Sequence, residues 1–189
     1  MDSSSIVSTL PPDVAAAVAG ARVVGAPTSA KSDEWSAAAH AAIRIARDTG
    51  ARVLLADVST RSWLTTPYLA GGVAADAEGL SSGEGAVGRA ELRLLGRQYL
   101  VAQLDEAAAV GVAAEVWLAT KPGIRSLPLF LERFPEIDVL VGPPLDRPSF
   151  GQRLGGDTID GVRSRVGQRT LVVAHIDGRL TLDTRQSNG

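Results

Sequence analysis

The sequence predicts an α/β fold, a three-layer α/β/α sandwich with a mostly parallel sheet between helices. Short, nearly continuous apolar runs recur at 21–26, 52–58, 113–119, 137–141 and 170–174, the pattern of strands buried on both faces. Between them lie stretches whose small and apolar residues repeat at helical spacing. Near the start, strand, helix and strand follow one another within about 38 residues, the length of a βαβ unit. Alternation of this kind builds a parallel sheet whose crossovers cover both faces.

Taken in order, residues 1–20 read as a serine-rich tail and a short helix. Pro11-Pro12-Asp13 opens that helix, Val14 and Val18 supply its apolar face, and Gly20 stops it. The domain proper spans 21–183, and 184–189 is a polar tail. Pro27-Thr28-Ser29 reads as the exit loop of the first strand. Ser32 or Asp33 can cap the next helix, where Trp35, Ala38, Ala39, Ala42, Ile45 and Ala46 form one stripe before Thr49-Gly50 ends it. Residues 59–89 have no clear period. An aromatic half with Trp63 and Tyr68 precedes a glycine-, serine- and acid-rich half, so the segment reads as a long mobile insertion. Helix formers return over 90–110, with Leu94, Val101, Leu104 and Ala108 as the expected core-facing stripe and Gly111 as the stop. Ser126, with Pro128 in the first turn, begins a helix ending near Phe134. Asp177-Gly178 is a hairpin signal, so 179–182 is expected to return as an antiparallel sixth strand.

At 189 residues, with 45% hydrophobic and 21% charged side chains, the chain fits one well-filled domain. A formal net charge of −2 provides no global attraction to nucleic acid or to an anionic membrane. The absence of cysteine excludes disulfides, thiolate metal sites and cysteine nucleophiles. The opening MDSSSIVSTLPP lacks the basic and apolar regions of a secretory signal, and no run reaches the ~18 apolar residues of a membrane helix. A cytoplasmic protein is expected.

The stretch richest in chemistry is IDVLVGPPLDRPSFGQRLGGDTIDGVRSRVGQRTLVVA, residues 137–174. A strand ends at Gly142, a polar loop follows, and Gly155-Gly156 lead into Ile159, Val162 and Val166 at helical spacing. A glycine-bearing loop that ends at a helix start exposes backbone N–H groups able to hold an anion. Gly142, Gly155 and Gly156 therefore either cradle a phosphate or make a tight strand exit and helix entry. Arg147 and Arg153 either neutralise phosphate or are simply solvated. Thr28 and Ser29 either touch a ligand or cap the following helix. His40 and His175 read as structural, and no carboxylate pair or His/Asp cluster has metal-ligand spacing. No G-x4-G-K-[ST] or S-G-G-x-D-S motif occurs, and the one G-x-S-x-G spacing, Gly79 to Gly83, falls in the aperiodic segment and not at a strand-to-helix turn. With no nucleophile or tuned base identified, an enzyme is not expected, though weak ATP hydrolysis is left open.

VVGAPTS and LLADVS near the start, with IDVLVGPP, LGGDT and GQRTLVVA near the end, resemble the universal stress protein family over residues 21–176. The resemblance implies an adenine nucleotide alpha hydrolase-like fold with a five-stranded parallel sheet of order 3-2-1-4-5. It also implies a regulatory role and a homodimer through strand five. In that order a topological switch lies between strands one and four, where open α/β sheets bind ligands beyond the carboxyl ends of their strands. The implied nucleotide-binding residues are Pro27, Thr28, Ser29, Asp57, Gly142, Pro143, Arg147, Arg153, Gly155, Gly156 and Asp157. ATP, AMP or a cyclic nucleotide is the implied ligand, with no cofactor fixed and no nucleic-acid or membrane partner.

ATP-binding members carry G-x2-G-x9-G-[ST] after strand four and an aspartate after strand one. Gly142 and Gly155 match, while Leu145 stands at the second glycine and Gly156 replaces the hydroxyl residue. Pro27 stands at the aspartate, and Ser29 matches the serine that often follows it. Leu145 brings a Cβ to where backbone would approach phosphate. Losing the carboxylate removes a metal or ribose partner, which Arg147 and Arg153 offset in part. Asp57 falls where the family recognises adenine through backbone groups. These departures support a second reading, a degenerate member that binds no nucleotide and serves as a dimeric protein-interaction module.

Overall fold

The computed structural model describes residues 10–30, 32–58, 87–118, 126–144, 164 and 166–183. Its elements in chain order are α1 (Pro12–Val18), β1 (Val23–Thr28), α2 (Asp33–Thr49), β2 (Arg52–Asp57), α3 (Arg89–Leu94), α4 (Gln98–Ala109), β3 (Ala114–Leu118), α5 (Ser126–Arg133), β4 (Val139–Gly142), β5 (Thr170–Ala174) and β6 (Leu180–Leu182). The strands form one six-stranded sheet in the order β3-β2-β1-β4-β5-β6. β1 to β5 run parallel, and β6 returns antiparallel against β5. The expected 3-2-1-4-5 order and the added antiparallel strand are both present.

Alternation of side chains along each strand sorts the core into two layers. Val24, Ala26, Val53 and Leu55 face α1, α2, α3 and α4. Leu54, Ala56, Leu140 and Leu171 face the other side, where Leu127, Phe130 and Leu131 of α5 cover them. Fully burying one such side chain contributes about 1.5–3 kcal/mol. Glycine at position 25 is required by packing, because a Cβ there would stand 2.8 Å from Ile137 Cδ1. The amino ends of the strands are tied by polar contacts: Asp138 Oδ2 accepts from the Arg22 and Val23 amides at 2.8 and 3.1 Å. On the same end Arg52 pairs with Glu115 and Glu136, both at 3.0 Å.

Three expectations are corrected. The first strand does not exit at Pro27: it runs on to Thr28, because Pro27 pairs with Ala56 and Thr28 with Asp57 in parallel register. The single helix expected over 90–110 is two, broken where Gly96 adopts φ 68° and the Arg97 amide donates to Leu92 O at 2.8 Å. That break shifts the helical phase. Leu94 is 65% exposed and Ala108 faces solvent, while Leu92, Leu95, Leu100, Val101, Leu104 and Ala107 are buried. Thirdly, Ser32 occupies the N-cap position of α2 but makes no side-chain capping bond.

The α2 stripe of Trp35, Ala38, Ala39, Ala42, Ile45 and Ala46 is buried as expected, and Gly50 closes the helix at φ 75°. Among the described residues no helix is long and apolar enough to cross a membrane.

Candidate functional site

Burying a polar side chain in a sheet core is costly unless it finds a partner, so its position is informative. Among the described residues the buried polar side chains are Thr28, Ser29, Asp57 and Gln103. Thr28 ends β1 with Ser29 just beyond it, and Asp57 ends β2, so three of them stand at the carboxyl ends of adjacent strands. Gln103 is brought to them by α4.

The local geometry follows from strand period and helix break together. Thr28 lies two residues beyond Ala26, and Asp57 two beyond Leu55, so both face the α4 side. Gln103 Nε2 donates to Thr28 Oγ1 at 2.9 Å. Arg97, set in the break between α3 and α4, places Nε 3.1 Å from Asp57 Oδ2, with side-chain exposures of 13% and 5%. Asp57 is thereby tied to the residue that precedes α4. An ion pair this buried gives little net stability against an apolar replacement, because both charges are desolvated. Its place at the carboxyl end of the sheet, beside the switch, makes it a candidate for function rather than for folding.

β1 and β4 are neighbours, with Val24 opposite Val139 and Gly25 opposite Leu140. At and just beyond their carboxyl ends stand Pro27, Thr28 and Ser29 on β1 and Gly142 and Pro143 on β4, all buried. Thr28 is not a helix cap: it lies in the strand, and its hydroxyl accepts from Gln103. Pro27, on the opposite face from Thr28 by strand alternation, has neither a carboxylate nor an N–H to offer a ligand. Arg147, Arg153, Gly155, Gly156 and Asp157 lie outside the described residues, as do Leu145, Trp63 and Tyr68.

Neither Arg97 nor Gln103 is among the site residues that the sequence motifs imply. Gln103 carried a signal, since Leu100, Gln103, Leu104 and Ala107 share one face of a helix and only one of the four is polar. Gly96 immediately before Arg97 was the other, a helix stop inside an otherwise helical run.

Of the histidines, His40 joins α2 to α4 through Nδ1, 2.6 Å from Glu106 Oε2, and its Nε2 lies 3.2 Å from Ser36 Oγ. His175 Nε2 lies 3.1 Å from Thr181 Oγ1 across the β5–β6 hairpin. Among the described residues no group of three or more His, Asp or Glu side chains could hold a metal ion. A cleft of about 400 Å³ opens elsewhere, between α2 and the β5–β6 turn.

No protein-family model matches the chain, and no curated protein matches it. Among solved structures, a universal stress protein in complex with cAMP is similar at 18% identity and a TM-score of 0.45, over 82% of this chain and 97% of that one. The universal stress protein UspA from Lactobacillus plantarum is similar at 15% identity and a TM-score of 0.48, over 82% of this chain and 98% of that one.

Proposed function

We propose that the chain is a cytoplasmic, universal stress protein-like regulatory module that binds an adenine nucleotide or a related phosphorylated ligand at the carboxyl ends of β1 and β4. The observation that carries this reading is the gathering of buried polar side chains at one end of the sheet, beside its topological switch. In this reading the domain is 21–183, with 59–89 as an insertion and the two termini as appendages. Gly142 begins the phosphate cradle that Gly155 and Gly156 complete, and Arg147 and Arg153 neutralise the anion. Pro27, Thr28, Ser29, Pro143 and Asp157 surround it, and Asp57 lies toward the adenosine end. No step of catalysis is assigned.

Calorimetric titration of the purified chain with ATP, AMP, cyclic AMP and cyclic dinucleotides tests it. Saturable heat with at least one nucleotide is expected, and Gly155→Val should abolish that heat by filling the crevice. Binding that survives this substitution would move the site elsewhere, and absence of heat with every nucleotide would refute the reading.

One observation favours the second reading, a protein-interaction module without nucleotide. Thr28 and Asp57 are already engaged by Gln103 and Arg97, so this part of the crevice is satisfied from within. In either reading the expected homodimer changes its contact strand. β6 covers the outer edge of β5, so edge-to-edge pairing would join two copies of β6.

A further inference from the structure

Away from the strand ends, one set of side chains joins a nucleophile to a base. Ser36 and His40 lie four residues apart on α2, so they share a face one turn from each other. Glu106 reaches the same imidazole from α4, 66 positions along the chain, which is why local spacing does not show the set. Ser36 Oγ lies 3.2 Å from His40 Nε2, and His40 Nδ1 lies 2.6 Å from Glu106 Oε2. An ionised carboxylate only accepts, so in the neutral imidazole Nδ1 carries the proton and donates to Glu106. Nε2 then keeps its lone pair and accepts from the Ser36 hydroxyl. A simple tether between the two helices would need only the Glu106 contact. Hydroxyl, imidazole and carboxylate in this order are the arrangement that activates a serine, whatever the fold or chain order. Ser36 is half-buried and His40 exposed, so solvent reaches both.

The adjoining cleft supplies room for an acyl group. His40 and Glu106 line it, and Ser36 immediately precedes Ala37, the first α2 residue of its wall. Ala41, Ala174 and Leu180 continue the apolar lining. Ile176, in the β5–β6 turn, stands on the rim and remains 67% exposed. Arg44 donates through Nη2 to Gly178 O at 3.1 Å, a bond that ties this turn to α2. The volume of about 400 Å³ falls within the ~300–1,000 Å³ typical of small-molecule sites. Small apolar walls of this kind fit a short aliphatic chain.

We propose that Ser36 and His40, with Glu106 as the positioning residue, carry out acyl transfer from activated esters whose short aliphatic acyl group occupies the cleft. Ser36 Oγ attacks the acyl carbon while its proton passes to His40 Nε2. The ester C–O bond then breaks, the leaving oxygen takes that proton from Nε2, and the acyl group stays on Ser36 as an ester. A water molecule, deprotonated by Nε2, attacks this ester; the carboxylic acid departs and the proton returns to Ser36 Oγ. General-base assistance of this kind is worth about 10²–10⁴-fold, which suits esters with a good leaving group such as a phenolate. The activity does not depend on ligand binding at the strand ends.

The test is turnover of p-nitrophenyl butyrate by the full chain, with a fluorophosphonate probe whose attachment site is read by mass spectrometry. Saturable hydrolysis and a label on Ser36 are expected. Ser36→Ala should lose both, and His40→Ala should lower kcat by about 10²–10⁴-fold. Glu106→Gln acts only through the imidazole, so it should lower kcat by at least about ten-fold and leave KM unchanged. p-Nitrophenyl acetate, two methylene groups shorter, should show a KM about ten-fold higher. The three substituted positions are at least partly exposed, so matched thermal midpoints should show the variants folded. No label on Ser36, hydrolysis that survives Ser36→Ala, an unchanged kcat in His40→Ala or Glu106→Gln, or equal KM for the two esters would each overturn the proposal. Hydrolysis lost in His40→Ala but kept in Ser36→Ala would overturn it by making the imidazole itself the nucleophile.

Discussion

Arg97→Met would leave the Asp57 carboxylate buried beside α4 without the guanidinium that now lies 3.1 Å away. Removing one partner of a buried ion pair typically costs about 3–5 kcal/mol, whereas replacing both members by apolar groups of similar volume is near neutral. The expected outcome is a drop of that size in unfolding free energy for Arg97→Met, measured by urea titration. The double variant Arg97→Met/Asp57→Leu should recover most of it. A single variant as stable as the parent would mean that the pair contributes nothing at this end of the sheet. Thr28 and Gln103 are coupled by the same logic, one neutral hydrogen bond in place of an ion pair, with a correspondingly smaller energy of about 0.5–1.5 kcal/mol.

The helices on the far side of β2 owe their arrangement to one backbone angle. Gly96 at φ 68° ends α3 and lets α4 begin on a new phase, which turns Leu94 outward and Arg97 toward Asp57. A Cβ at Gly96 would meet nothing within 4 Å, so Gly96→Ala would be opposed by conformation alone. The expected cost is about 1–2 kcal/mol, read as a lowered thermal midpoint. An unchanged midpoint would show that the two helices can merge into the single one that composition alone predicts. The β5–β6 hairpin is the other element with consequences beyond itself, because it supplies the exposed Ile176 and the carbonyl that pins Arg44.

At the scale of the whole molecule the two ends of the sheet differ in kind. The amino ends are tied by backbone–carboxylate bonds and by exposed ion pairs around Arg52, contacts that hold strands together. Buried polar side chains gather at the carboxyl ends instead. Among the described residues β6 and β3 are the two edges of the sheet, and the register of β6 is specific enough for a test of assembly. The Asp183 amide donates to Leu171 O, and Thr181 pairs with Val173, so the Leu182 amide points away from β5. Leu182→Pro would remove that outward donor and leave the inward ladder in place. If two copies join through β6, light scattering should show the parent as a dimer and this variant as a monomer. A variant that stays dimeric would place the interface elsewhere.

Much of this architecture was legible in the residues alone. The five parallel strands, the α2 stripe, the glycine stops and the returning hairpin are local patterns, set by strand and helix periods and by where glycine allows a positive φ. The resemblance carried by those patterns supplied the sheet order. What it could not supply was the partner of each polar side chain. Thr28 and Gln103 are 75 positions apart, and they meet only because α4 folds back over β1 after its phase has been reset at Gly96. The same reset decides that Arg97 meets Asp57 and that Leu94 does not reach the core. Periodicity is a property of neighbours along the chain, so the sequence by itself determined which segments become strands and helices and which of their faces are apolar. The pairing of buried polar groups, and the cleft that α2 shares with the hairpin, depend on distances between segments far apart in the chain, and only the tertiary structure decided them.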